Sequence, residues 1–340
     1  MMDTSQKDLF IRSFLKNKRI NENKPELSIL AGDGSARIFE RIHLKSLDQS
    51  FIIMENHPAN GSIKKENLAY LKIGKHLFNR GIPVPEIYAC DLDEGLFILE
   101  DMGDRNLQDE MLDSEDGIPL YEDVLKILLR IQIKGKEGFN TDWCCQSKMY
   151  DANLMREKEA HYFRDSFLIN YMKLDFDAAA IEKSFDRIIM MADKAKKTFL
   201  LHRDFQSRNI MCRESGSMAI LDWQGARPGP LAYDLASLLY DPYTGLSDHE
   251  RGILFNTYCK ILEGLSRSAV YPLKVSYPYI AVMRLLQALG AYSNLSIAQG
   301  KTYFKKYIPP ALSSLRGLLE EINDPDLSYL ERVIKELSKL

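Results

Sequence analysis

No run of apolar residues in this chain approaches the roughly 20 needed to cross a bilayer as a helix. The greasiest stretch, near Tyr279–Leu289, carries Arg284. Residues 1–18 are charged every few positions and lack the apolar centre of a signal peptide. Neither observation suggests a membrane partner. Cysteine is scarce: Cys90, Cys144, Cys145, Cys212 and Cys259 form no CxxC pair, and five cannot all pair with one another. A reducing, cytoplasmic setting is the expectation, and the sequons at Asn60-Gly61-Ser62 and Asn294-Leu295-Ser296 are then chance matches. There is no excess of one charge either. The 45 Lys and Arg against 48 Asp and Glu leave a formal net charge of −3, so nothing points to nucleic acid as a partner. Internal repeats, low-complexity tracts, a GxGxxG after a strand, HExxH and GxSxG are all absent, and Gly300-Lys301-Thr302 has Leu295 where a P-loop needs its first glycine. No obligate protein partner is evident.

What is there is ordinary globular material, 340 residues with 45% hydrophobic and 27% charged side chains, enough for about two domains. Residues 4–18 predict an amphipathic helix with Leu9, Ile11, Phe14 and Leu15 as its apolar stripe. Strands are expected at 27–30, 38–44 and 51–54, with the glycine-rich turn Ala31-Gly32-Asp33-Gly34-Ser35-Ala36-Arg37 between the first two. A helix over 64–80 stops at Gly81, and a hairpin of 87–90 with 96–100 follows. Beyond Asp101 the periodicity is helical, over 120–134, 153–172, 178–197, 231–240, 248–265 and 279–299, with Ser247 and Glu250 spaced as a capping box. One β island, 199–201, 210–212 and 219–222, interrupts it. The reading is α+β, with a small strand-rich N-lobe over residues 1–103 and a larger helical C-lobe over 104–340.

The island holds the chemistry. His202-Arg203-Asp204-Phe205-Gln206-Ser207-Arg208-Asn209 matches H-R-D-x-x-x-x-N in full, and the hairpin after it closes on Leu221-Asp222-Trp223-Gln224-Gly225. That spacing suits phosphoryl transfer: one carboxylate takes the proton of an attacking hydroxyl, while an Asn oxygen and a second carboxylate hold Mg²⁺ against a triphosphate. Asn209 and Asp222 are expected at the same end of the sheet as Asp204. Oxygen donors in small number are what Mg²⁺ takes from a protein.

With these residues the chain resembles the protein-kinase-like phosphotransferases, and within them the aminoglycoside phosphotransferase family. It is most similar to the bacterial amino-sugar kinase branch, which phosphorylates N-acetylmuramate and N-acetylglucosamine at the anomeric hydroxyl. The stretches that carry the resemblance are Gly32–Arg37, Leu99–Asp104, His202–Met211, Leu221–Ala226, Gly229–Leu239 and, for the branch, Arg284–Tyr292 with Gly300-Lys301 and Pro309. It implies a bilobal protein-kinase-like fold binding ATP and Mg²⁺. It implies Asp204 as base, Asn209 and Asp222 as metal ligands, Gly32, Gly34 and Ser35 in the nucleotide loop, and backbone near Glu100 and Met102 for adenine. Asp234 is implied as a buried brace of the catalytic loop. Arg203 either touches substrate or phosphate or fills a salt bridge within the loop.

Two departures bear on function. The kinase pattern places a lysine on the third strand, and Phe51-Ile52-Ile53-Met54-Glu55 has none; Arg37 is the candidate replacement, ahead of Lys64 and Lys65. Gln206 stands where the aminoglycoside enzymes often have His. Three readings follow: an ATP-dependent amino-sugar kinase of cell-wall recycling, a kinase of aminoglycosides or choline-like alcohols, or a nucleotide-binding pseudokinase. Fewer than ten residues separate Asp222 from Pro230, too few for the activation loop of a protein kinase. Arg284, Gln287 and Tyr292 share a helix and are candidates for the acceptor pocket.

Overall fold

The computed structural model describes residues 4–21, 25–30, 37–114, 116–213 and 215–338. In chain order the elements begin α1 (Thr4–Asn17), β1 (Glu26–Leu30), β2 (Ile38–Leu44), β3 (Gln49–Glu55), α2 (Gly61–Asn79), β4 (Ile87–Asp91) and β5 (Leu96–Glu100). Then come α3 (Leu107–Asp113), α4 (Ile118–Ile133), α5 (Ala152–Met155), α6 (Ala178–Ala192), β6 (Phe199–Leu201), β7 (Ile210–Cys212), β8 (Met218–Ile220) and β9 (Arg227–Gly229). The chain closes with α7 (Ala232–Leu239), α8 (Asp248–Ile297), α9 (Ile308–Ile322) and α10 (Ser328–Leu337). This is an α+β fold of two compact units. The first comprises 1–105, 139–146 and 210–226, and the second 106–138, 147–209 and 227–340. The first unit's opening segment thus runs two residues past Gly103, and two later stretches pack with it.

The first unit is built on an antiparallel sheet ordered β1-β2-β3-β5-β4. Alternation along β2 buries Ile42 and Leu44, and Ile11, Phe14 and Leu15 of α1 cover them together with Ile53, Leu96 and Ile98. Leu9, expected on that stripe, is 64% exposed: the sheet takes only part of the helix circumference. Asn60 caps α2, its side-chain oxygen accepting from the N–H groups of Ser62 and Ile63 at 3.0 Å each. Gly81 ends it with φ +68°. The β7–β8 hairpin, Ile210 opposite Ile220, belongs to this unit, tied in where Ile220 N–H donates to the Pro83 carbonyl and Cys212 N–H to that of Arg105.

The second unit is helical around α8. Ser247 and Glu250 form the expected capping box at its start. Several expectations are corrected here. The helix read at 248–265 does end there, since α8 is broken at the non-helical Ser266 (φ −157°, ψ 76°), but the second half, expected from 279, begins just past that break and runs through Pro272 and Pro278. The helical segment read over 153–172 is α-helical through Met155 and at 161–162 and winds as π-helix over Arg156–Ala160 and Phe163–Tyr171; apolar spacing does not separate 3.6 residues per turn from a wider winding. The β island is two separate ladders. β6 pairs with β9, whose Pro228 masks it as a strand in the sequence, and β8 ends at Ile220, two residues short of Asp222. The helices α3, α9 and α10 were not anticipated. None of the five cysteines is in a disulfide, and no described helix is long and apolar enough to cross a membrane.

Candidate active site

The loop from His202 to Asn209 lies in the second unit, and buried carboxylates shape it. Asp234, fully buried near the start of α7, accepts the backbone N–H of His202 at 2.7 Å on one oxygen and that of Arg203 at 2.8 Å on the other. This is the brace the sequence led us to expect. It holds Arg203 at φ +84°, a conformation that costs a non-glycine residue about 1–3 kcal/mol. Burial pushes the Asp234 carboxyl up to about 7, with the two N–H groups pulling the other way. Asp241, which the sequence reading missed, accepts the N–H of Ser207 at 2.7 Å and that of Tyr243 at 3.0 Å.

Between these anchors Asp204 is half-buried, and among the described residues its carboxylate takes part in no hydrogen bond. Asn209 donates Nδ2–H to the backbone carbonyl of Asp204 at 2.8 Å. Its amide nitrogen is thus committed to the loop and its oxygen is the group left for a ligand. Arg208 is clamped too, Nε to Gln108 at 2.8 Å and Nη2 to the Tyr307 hydroxyl at 2.7 Å, with its guanidinium 4.0 Å from the centre of the Tyr243 ring. Arg203 is half-buried, and Tyr233, Asp204 and Glu159 hold it charged although burial opposes the charge. Glu159 receives the Tyr150 hydroxyl at 2.6 Å and is raised by burial to about 7. Of the acceptor candidates, Arg284 donates through Nη1 to Gln287 at 2.7 Å and bonds Ser237 through Nε. Tyr292 is 5% exposed.

The remaining candidates lie in the first unit. Gly32, Gly34 and Ser35 fall outside the described residues. Arg37 is 8% exposed, Nη1 at 2.7 Å from Asp222 Oδ1 and Nη2 on the Glu66 carboxylate of α2. Burial opposes its charge, but Asp222 and Glu66 more than compensate and hold its pKa above the ordinary arginine value. Glu66 was not anticipated, since nothing in Lys64-Lys65-Glu66 reveals which way a helix faces. Asp222 adopts a left-handed backbone (φ 67°, ψ 41°), which Asp tolerates better than most residues. The left-handed turn ends the strand, and the Asp222 side chain keeps 36% of its surface exposed. Trp223 beside it is buried and donates Nε1–H to the Tyr70 carbonyl at 2.8 Å. Glu100 pairs with Arg213, and Met102 packs its sulfur on the same guanidinium. Asp101 takes Arg41 Nε at 2.6 Å, the Ser50 hydroxyl at 2.7 Å and Gly103 N–H at 3.0 Å; these bonds lower its carboxyl against the effect of burial. The segment after β5 is thereby fixed. Hard oxygen donors, the Asp222 carboxylate and the Asn209 amide oxygen, fit Mg²⁺ in kind. Among the described residues no cluster of three His, Cys, Asp or Glu forms a metal cage, and the two-ligand set expected here does not require one.

Residues 26–271 match the phosphotransferase enzyme family. Curated relatives named N-acetylmuramate/N-acetylglucosamine kinase include one from Pseudomonas aeruginosa, 24% identical over 92% of this chain and 88% of the relative. Another, from Caulobacter vibrioides, is 26% identical over 82% and 84%. Among solved structures, an ethanolamine kinase of Plasmodium vivax superposes with a TM-score of 0.64 at 16% identity, covering 90% of this chain and 88% of the other. A choline kinase from Streptococcus pneumoniae, also solved with AMP, gives 0.60 at 14% identity over 90% and 99%. The fold is that of the protein-kinase-like small-molecule kinases.

Proposed function

This chain belongs to the phosphotransferase enzyme family, and from that premise we propose that it transfers the γ-phosphate of ATP to the anomeric hydroxyl of an amino sugar, N-acetylmuramate or N-acetylglucosamine. The observation that carries the catalytic half of this reading is the loop geometry. Asp234 and Asp241 take the loop's backbone N–H groups, Asn209 takes the Asp204 carbonyl, and the Asp204 carboxylate is left half-buried for an incoming hydroxyl. The shared name of the relatives supports the acceptor.

In this mechanism an Asp204 carboxylate oxygen accepts the proton of the sugar hydroxyl as its oxygen bonds to the γ-phosphorus. The bond from that phosphorus to the β–γ bridging oxygen breaks, and ADP leaves. Positioning and charge stabilisation supply most of the acceleration in such reactions. Asn209 and Asp222 are the residues that would hold Mg²⁺, which when bound offsets charge on the phosphates. The backbone past β5, near Glu100 and Met102, would hold adenine, and the glycine-rich stretch Gly32–Ser35 would cover the phosphates. Retention of Asp204, Asn209 and Asp222 together argues for turnover over a scaffold role. Use of ATP and a sugar belongs in the cytoplasm, with a small molecule as the partner.

The test is ADP release with Mg-ATP and a panel of N-acetylmuramate, N-acetylglucosamine, aminoglycosides, choline and ethanolamine. Phosphorus NMR then locates the new ester. The expected product is a sugar 1-phosphate. Preference for an aminoglycoside or amino alcohol would overturn the acceptor, and ATP binding without turnover of any acceptor would make the protein a pseudokinase.

A further inference from the structure

Protein kinases pair a third-strand lysine with a helix glutamate, and β3 here carries no lysine. The structure nevertheless contains a cation on a helix glutamate. Arg37 stands immediately before β2, whose first residue, Ile38, pairs with Glu55 at the end of β3. Its side chain is buried, bridges Glu66 of α2 and Asp222, and lies 5.7 Å from the centre of the Tyr70 ring one turn beyond Glu66. Tyr70 in turn packs on Trp223, with ring centres 4.6 Å apart. Three stretches distant in sequence thus meet on one guanidinium. Among the described residues the charges in that cluster are one positive and two negative. A divalent cation at Asp222 would be favoured by that surplus and opposed by the Arg37 charge, which lies on one of the two carboxylate oxygens.

We infer that Glu66 is a positioning residue for Arg37: the two form this chain's version of the lysine–glutamate pair, and Glu66 would hold the guanidinium in place when Mg²⁺ is bound at Asp222. Arg37 is shared between both carboxylates. With Mg²⁺ drawing on the Asp222 carboxylate, Glu66 would keep the guanidinium in place to meet phosphate oxygens. A guanidinium held on one edge by a carboxylate still has N–H groups for a second, charge-assisted contact. The inference rests on the kinase reading above and assigns Glu66 a role in it.

The experiment is calorimetric titration of MgADP at graded free Mg²⁺ for the wild type, Glu66→Gln, Arg37→Ala and the double variant. Removing the Glu66 charge leaves Asp222 as the one carboxylate on Arg37 among the described residues and makes the cluster less negative, and both effects oppose the metal. The free Mg²⁺ needed for half-maximal ADP binding is therefore expected to rise by about tenfold in Glu66→Gln, the scale of one charge-assisted contact. In the Arg37→Ala background the same substitution is expected to have a much smaller effect, because only the loss of one screened charge near Asp222 remains and the contribution through Arg37 is gone. Glu66→Asp, which keeps the charge on a shorter arm, should fall between wild type and Gln, and serves in place of Gln should that variant fail to fold. A lowered melting temperature with an unchanged Mg²⁺ midpoint would reduce Glu66 to a structural salt bridge and overturn the inference. Equal effects of Glu66→Gln with and without Arg37 would do the same. Wild-type protein that binds no MgADP at any Mg²⁺ level would instead overturn the kinase reading, and this inference with it.

Discussion

Gly74 of α2 faces the Trp223 indole so closely that a Cβ built on it would lie 2.7 Å from ring atoms of Trp223. The indole is fully buried and fixed by its bond to the Tyr70 carbonyl, so it has little room to yield. Replacing a helical glycine by alanine normally gains up to about 1 kcal/mol, whereas overpacking a core costs about 1–3 kcal/mol. Gly74→Ala is therefore expected to lower stability in chemical denaturation, against the helix-propensity trend. A stabilised variant would show that the indole moves freely.

Asp204→Asn tests the base. Loss of general-base catalysis typically costs 10²–10⁴-fold in kcat, and the expected result is a fall in that range with MgADP affinity little changed. Near-normal turnover of the acceptor by Asp204→Asn would remove Asp204 from the mechanism.

Asp234→Ala leaves two backbone N–H groups, the buried one of His202 and the part-buried one of Arg203, without their acceptor. At about 1–3 kcal/mol for each unsatisfied group, the loss of about 2–6 kcal/mol is a large part of a domain's stability. Asp234→Asn keeps one oxygen acceptor and should lose about half as much. Urea titrations of the three proteins rank them; equal stability of wild type and Ala would mean the loop finds other partners.

Glu159 predicts a pH dependence. Its carboxyl, ordinarily near 4.5, is raised by burial to about 7 in the fold. The folded state therefore binds this proton more tightly than the unfolded chain. The stability it confers is fully present below about pH 4.5 and is lost as pH rises through 7, an effect of up to ~3 kcal/mol. Asp234 is raised over the same range, so the informative quantity is the difference between wild type and Glu159→Gln, whose stability should decline less between pH 4.5 and 7.5. Parallel pH curves for the two proteins would show Glu159 to be solvated or paired in the folded state.

The sequence by itself determined what depends on neighbours along the chain. The strand alternation of Ile38–Leu44, the cap Ser247, the stop at Gly81 and the spacing His202 to Asn209 are local patterns, and each is legible because its physics is completed within a few residues. The same holds for α2 and for the β7–β8 hairpin around its turn. Tertiary structure decided whatever needed a partner far away. Arg37 was legible as a cation near a glycine-rich turn, but its carboxylates are Glu66, 29 residues on, and Asp222, 185 residues on. Pro228 argues against a strand until β6 supplies the other half of its ladder, and Pro272 and Pro278 hide in the sequence that the second half of α8 begins just past Ser266. Asp241 and Glu159 look like ordinary surface acids in the sequence, where no pattern records desolvation; only burial beside the catalytic loop turns them into acceptors for Ser207 and Tyr150. Charge and burial act through space, and the chain's order does not list who meets whom.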